Sequence, residues 1–188
     1  MNVPMAATFG KHLQGKLPGK RHFAKLCEVL SNVPPSTTVF LDFKDVEIVT
    51  GSWVNAVFVP FFQWAGNEQT DLFPVICNLA VKEWVDEFAL VAEWTHRCFL
   101  VASGPIPPKR AKAVGPLDPG QKATLGAVIE FGPVTGAELE RQWKAESIKA
   151  TAWNNRLRDL YDKRLIRRER QGREQVYSTV LKEIDFDG

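Results

Sequence analysis

Between residues 103 and 120 the sequence loses every apolar period. Gly104-Pro105-Ile106-Pro107-Pro108 is followed by Lys109, Arg110 and Lys112, then by Gly115-Pro116 and Pro119-Gly120. Proline at this density favours an extended, semi-rigid connector, because it fixes φ and removes a backbone donor. The chain of 188 residues therefore reads as two halves of small-domain size, 1–103 and 118–188, joined by a Pro-rich linker over 104–117.

Both halves have material for a core. Apolar residues make up 45% of the chain, near the globular norm, and no apolar run is long enough to cross a bilayer. The first ten residues lack a charged head followed by a long apolar run and a small-residue cleavage site, so no secretory leader and no membrane association are expected. A cytoplasmic location follows as the expectation. Cys27, Cys77 and Cys98 are odd in number and scattered among apolar neighbours, a pattern of buried reduced thiols and not of a disulfide frame or a zinc site.

The first half alternates helix-like and strand-like stretches. Residues 20–30 place Phe23, Leu26, Cys27 and Leu30 at three-four spacing, and 38–43 is a short β-branched and aromatic run. Residues 52–63 read as a buried helix, or as partly extended chain because Pro60 interrupts them. A strand over 73–78, an amphipathic helix over 81–94 and a strand over 98–102 complete the alternation, which implies α/β layers.

The stretch from Val39 through Leu41-Asp42-Phe43 to Gly51-Ser52 resembles the core signature of STAS domains, the fold of bacterial anti-sigma factor antagonists. It is more specifically similar to STAS-like domains of unknown function, in which Phe9-Gly10, Lys20-Arg21, the Leu-Asp-Phe triplet and an Asn after the next strand, here Asn78, recur. The resemblance implies a module that dimerises, binds a protein partner or senses a signal, and it implies no reaction. In the antagonists a phosphorylated serine opens the helix; that position is Gly51 here, so no phosphoswitch is expected there. Ser52 is instead expected to cap the first turn.

Past the linker, helical spacing returns. Leu125, Val128 and Ile129 mark a helix over 121–131 that stops at Gly132-Pro133. Thr135-Gly136-Ala137-Glu138 is a capping box, so a second helix starts there and runs to about Trp143, with a turn over 144–148. A third helix over 149–163 carries an inward stripe of Ala150, Trp153, Leu157, Leu160 and Tyr161. Two strand-like arms, 165–170 and 174–178, flank Gln171-Gly172-Arg173. This half resembles bacterial winged helix-turn-helix regulators in the run Asn155-Arg156-Leu157-Arg158-Asp159-Leu160, then Leu165-Ile166 and a Gly-Arg turn before Tyr177.

Charge points the same way. Residues 149–173 hold nine bases against Asp159, Asp162 and Glu169, whereas 1–103 carry slightly more acid than base. On the third helix Thr151, Asn155, Arg158 and Asp162 turn outward with Asn154 at the flank, where an asparagine amide suits adenine and an arginine fork suits guanine. Lys149 and the hairpin residues Arg168, Arg170 and Arg173 would contact phosphate. Double-stranded DNA is thus the expected partner and a transcriptional regulator, as a homodimer, the expected function. A non-enzymatic adaptor of a multiprotein assembly is the alternative.

Catalysis finds little support. Gly10 to Leu17 matches the glycine and lysine spacing of a phosphate-binding loop, but Leu17 stands where a hydroxyl must hold magnesium. His12, His22 and His96 have no ligand at metal spacing, and Glu83, Asp86, Glu87 and Glu93 read as a solvated or partner-binding face. No catalytic residue, cofactor or metal is expected.

Overall fold

Short runs of β-branched and aromatic residues build the centre of the molecule. In the computed structural model, which describes residues 1–143 and 148–186, these runs form the centre of a six-stranded sheet. β1 (Asn2–Pro4), β3 (Thr38–Asp42), β5 (Phe73–Cys77) and β6 (Phe99–Ala102) pair in parallel in that order. All five residues of β5 are buried, as expected for a central parallel strand covered on both faces. β2 (His12–Leu13) and β4 (Ile48–Val49) form a separate short pair.

Parallel neighbours need crossovers, and three helices supply them. α2 (Lys16–Leu30), α3 (Gly51–Ala65) and α4 (Lys82–Thr95) lie on one face of the sheet, after the one-turn α1 (Met5–Phe9). Their core is aromatic: Phe58 meets Phe88 edge to face at 4.9 Å, and Trp53, Phe43 and Phe99 surround them. α3 passes through Pro60 without ending, so the extended alternative does not occur. Seven side chains of α3 are buried, and at roughly 1.5–3 kcal/mol each they outweigh the ~3 kcal/mol that an interior proline costs.

Ser52 does not cap α3. The helix begins one residue earlier, at Gly51, with Thr50 in the capping position, and the Ser52 hydroxyl shares a 3.2 Å hydrogen bond with that of Thr50. A Cβ on Gly51 would meet the Glu87 carboxylate, the movable end of a flexible side chain.

The stretch read as a connector holds a strand. β7 (Arg110–Val114) runs antiparallel to β6, and β10 (Glu183–Asp185), from the far end of the chain, pairs parallel with β7. β7 has a weak apolar signal because Ala111 and Ala113 are small, although they alternate with exposed Arg110 and with Lys112 in the period of a half-buried strand.

The second half packs on the other face of the same sheet. α5 (Pro119–Phe131) opens on a capping box of Asp118 and Gln121 with Pro119 in its first turn, and ends at Gly132. α6 (Gly136–Gln142) opens on the expected box: Glu138 N–H donates to Thr135 Oγ1 at 3.2 Å, and Thr135 N–H donates to Glu138 Oε2 at 2.7 Å. Of the turn expected over 144–148, residues 144–147 lie outside the described residues. α7 (Ala150–Asp162) precedes the hairpin of β8 (Ile166–Gln171) and β9 (Glu174–Thr179), and Val134 bridges to Tyr177. One buried cluster joins Phe73, Val75 and Leu100 of the sheet to Leu125, Val128, Trp153 and Leu157. The chain is α/β with helices on both faces of one mostly parallel sheet, and its two halves share a core.

Candidate nucleic-acid interface

The amphipathic pattern of α7 decides which side chains reach solvent. Trp153, Leu157, Leu160 and Tyr161 are buried, while Thr151, Asn154, Asn155 and Arg158 are exposed. α6 lies against α7 at Gly136, where a Cβ would overlap the Asn154 carboxamide and come within 3.0 Å of the Ala150 carbonyl. Glycine at this crossing permits the close approach. Asn154 is therefore turned toward α6, and Asn155 is the freer of the two asparagines.

A groove of about 370 Å³ opens between α7, the start of α6 and the hairpin. Asn154, Asn155 and Arg158 line one wall, Arg173, Glu174 and Gln175 the other, with Tyr177 at the base. Arg158 Nη2 donates to Asn155 Oδ1 at 3.4 Å, which aligns a guanidinium and a carboxamide on one helix face. Four of the eight residues predicted from the sequence thus meet in one place. Gly136, Gln175 and Tyr177 were not predicted; the close helix crossing and the strand pairing that bring them in have no local signature.

The other four predicted residues lie apart. Thr151 is exposed on the first turn of α7. Lys149, at the capping position, stands 3.9 Å from Glu140 with its side chain 84% exposed. Arg168 stacks on the Tyr161 ring at 4.2 Å and, with Arg170, lines a smaller cleft of about 240 Å³ facing Glu68 and Asp71. Arg170 Nε donates to the Gly172 carbonyl at 3.1 Å. Among the described residues, no carboxylate lies within ion-pairing distance of Arg158, Arg170 or Arg173.

Two further arginines of the basic run are consumed by structure. Arg164 Nη1 donates to Asp71 Oδ1 at 2.7 Å, with the Arg164 side chain 1% exposed. The same carboxylate accepts from Tyr161 at 2.6 Å and from Ser36 at 2.7 Å. Burial pushes the Asp71 carboxyl up, but the three donors Ser36, Tyr161 and Arg164 outweigh it and hold the group below the usual carboxylate range. Arg167, at the start of β8, donates to the Ser36 carbonyl and the Thr38 hydroxyl and lies over the Phe73 ring. The end of α7 and the start of the hairpin are thus fixed to the first half.

Other candidate chemistry disperses. Lys11 and His12 of the loop-like Gly10 to Leu17 segment both face Glu47, at 2.8 and 3.2 Å, and Leu17 is exposed. Among the described residues no group of His, Cys, Asp or Glu is placed to hold a metal ion, and no helix is long and apolar enough to cross a membrane. Cys77 and Cys98 are buried and Cys27 is half-buried. Comparison with known protein families, characterised proteins and solved structures gives no match.

Proposed function

We propose that the chain is a DNA-binding transcriptional regulator. In this reading α5, α6, α7 and the hairpin form a winged helix-turn-helix, α7 enters the major groove, and the STAS-like first half carries dimerisation or partner binding. The observation that carries it is the groove in which Asn155 and Arg158 face Arg173 across a solvent-open gap, with neither guanidinium group ion-paired among the described residues although Glu174 lines the same groove. Asn155 and Arg158 are the base readers, for adenine and guanine edges respectively. Lys149, Thr151, Arg170 and Arg173 contact phosphate, and Asn154 positions α7 against α6.

Fluorescence anisotropy on random and selected duplexes across a salt series tests it. With three cationic phosphate contacts per copy, log K should fall with log salt at a slope of roughly −3. Arg173→Ala should make that slope shallower by about one on every duplex, while Arg158→Ala should cost about 1–3 kcal/mol on the selected site and relax its specificity. Absence of duplex binding at low salt would refute the reading and favour the adaptor role.

A further inference from the structure

The helical layer carries a charge pattern that is complementary to itself. α2, α3 and α4 cross over between successive parallel strands of the order β1, β3, β5, β6, so they run side by side in the same direction with α3 in the middle. α2 exposes Lys16, Lys20 and Arg21 and has Glu28 as its one acid. α3 has no charged residue, and its exposed side chains are Ser52, Asn55 and Gln63. α4 exposes Glu83, Asp86 and Glu93, none of them ion-paired among the described residues, and has Lys82 as its one base. The layer therefore reads basic, neutral, acidic from side to side.

Apolar surface accompanies the charge. Trp94 is 76% exposed and Leu90 53% exposed, one helical turn apart and on the same outward sector of α4 as Glu83, Asp86 and Glu93. Counted from the helix starts, Leu90 is level with exposed Ala24 of α2 and Trp94 with exposed Glu28. An exposed tryptophan amid unpaired carboxylates is surface that a partner would cover.

We propose that this layer is the interface of a two-fold dimer of the chain, with α2 of each copy seated on α4 of the other and the α3 helices facing each other. A two-fold axis parallel to the helices brings basic α2 against acidic α4 twice over, in an isologous contact. An axis across the helices would instead oppose like charges, so the pattern selects one dimer geometry and disfavours the other. Three helices about 10 Å apart and about 22 Å long present roughly 600–700 Å² of flat area, close to the ~800 Å² per partner of a standard interface. The proposal does not depend on the nucleic-acid reading, because it uses no residue of the second half.

Sedimentation equilibrium of the full chain, without nucleic acid, tests it with two charge-reversed variants, Lys20→Glu/Arg21→Glu and Glu83→Lys/Asp86→Lys. The wild type should dimerise at low salt and weaken as salt rises. Each variant alone should dimerise about tenfold more weakly or worse, since both of its contacts then oppose like charges. An equimolar mixture of the two should recover a dimer, because every α2–α4 contact is again of opposite sign. A monomeric wild type, variants that dimerise like the wild type, or a mixture that does not recover would each overturn the proposal. Circular dichroism melts confirm that the surface variants are folded, and the salt dependence of the wild-type dimer stands as a readout that needs no variant.

Discussion

Asp71→Ala should remove about 3–5 kcal/mol of stability, because it strands a buried cation. Arg164 would retain the Gly66 carbonyl at 3.4 Å and the Tyr161 and Phe73 rings at 4.2 and 5.3 Å, with no anion left beside it. Its Nε has no hydrogen-bond partner among the described residues. Breaking a buried ion pair from one side costs about 3–5 kcal/mol in general. Asp71 is 8% exposed and borders a cleft, so water entering the vacated space places the charge contribution at the lower end, near 3. The hydroxyls of Ser36 and Tyr161 also lose their acceptor, adding up to about 1 kcal/mol each. Guanidinium denaturation at neutral pH measures the loss. The double variant Asp71→Ala/Arg164→Met removes both charges and should recover most of it, because the penalty comes from the unpaired partner. A single-variant loss under about 1 kcal/mol, or a double variant no better than the single, would refute this reasoning.

The same carboxylate sets a pH signature. Its folded pKa lies below the ordinary value of about 3.9, so its contribution is complete above that value and disappears as pH falls through the lower folded pKa. The gap between wild type and Asp71→Ala should hold steady from neutral pH down to about 5 and close only in stronger acid. Under conditions where the variant is folded, duplex affinity should drop with no change in salt slope. The anchor of α7 is loosened while the number of phosphate contacts stays the same.

Three other perturbations have defined outcomes. Gly136→Ala forces α6 away from α7 and should cost about 1–3 kcal/mol by thermal melting, with part of the loss restored by adding Asn154→Ala, whose carboxamide is the main obstacle. Burial pushes the Cys77 and Cys98 thiols up to about 12 and Cys27 up to about 11, so a thiol reagent at pH 8 should label the native chain slowly and the guanidinium-unfolded chain at once. An isolated fragment of residues 118–188 should show no cooperative melt by circular dichroism, because it lacks β7, Asp71 and the sheet face on which α5 and α7 pack.

Features written within a few residues were legible in the sequence. The Thr135 and Glu138 box is set by two groups three positions apart, and both of its hydrogen bonds form. The inward stripe of α7 follows from helical period alone, and four of its five residues are buried, Ala150 at the helix start being half-buried. β7 was obscured for an equally physical reason: alanine buries little area, so Arg110-Ala111-Lys112-Ala113 carries a strand period without a strong apolar signal, between prolines that suggest none. The pairing of β10 with β7 joins residues some seventy positions apart, and nothing local specifies it.

The basic run is where the sequence and the structure differ most in meaning. Nine bases between 149 and 173 read as one patch, yet their roles depend on partners far along the chain. Asp71 lies 93 positions before Arg164, and Ser36 131 positions before Arg167. Arg156 covers Trp153, and Arg168 covers Tyr161. Lys163 is tied to the His96 carbonyl at 2.7 Å. What remains for a polyanion is Lys149, Arg158, Arg170 and Arg173, fewer than half of the bases counted. Four cationic contacts give one copy only modest affinity at physiological salt. A regulator built on this surface therefore needs two copies on its site, and the unspent charge of α2 and α4 lies on the opposite face of the sheet from α7, where pairing would leave both grooves open.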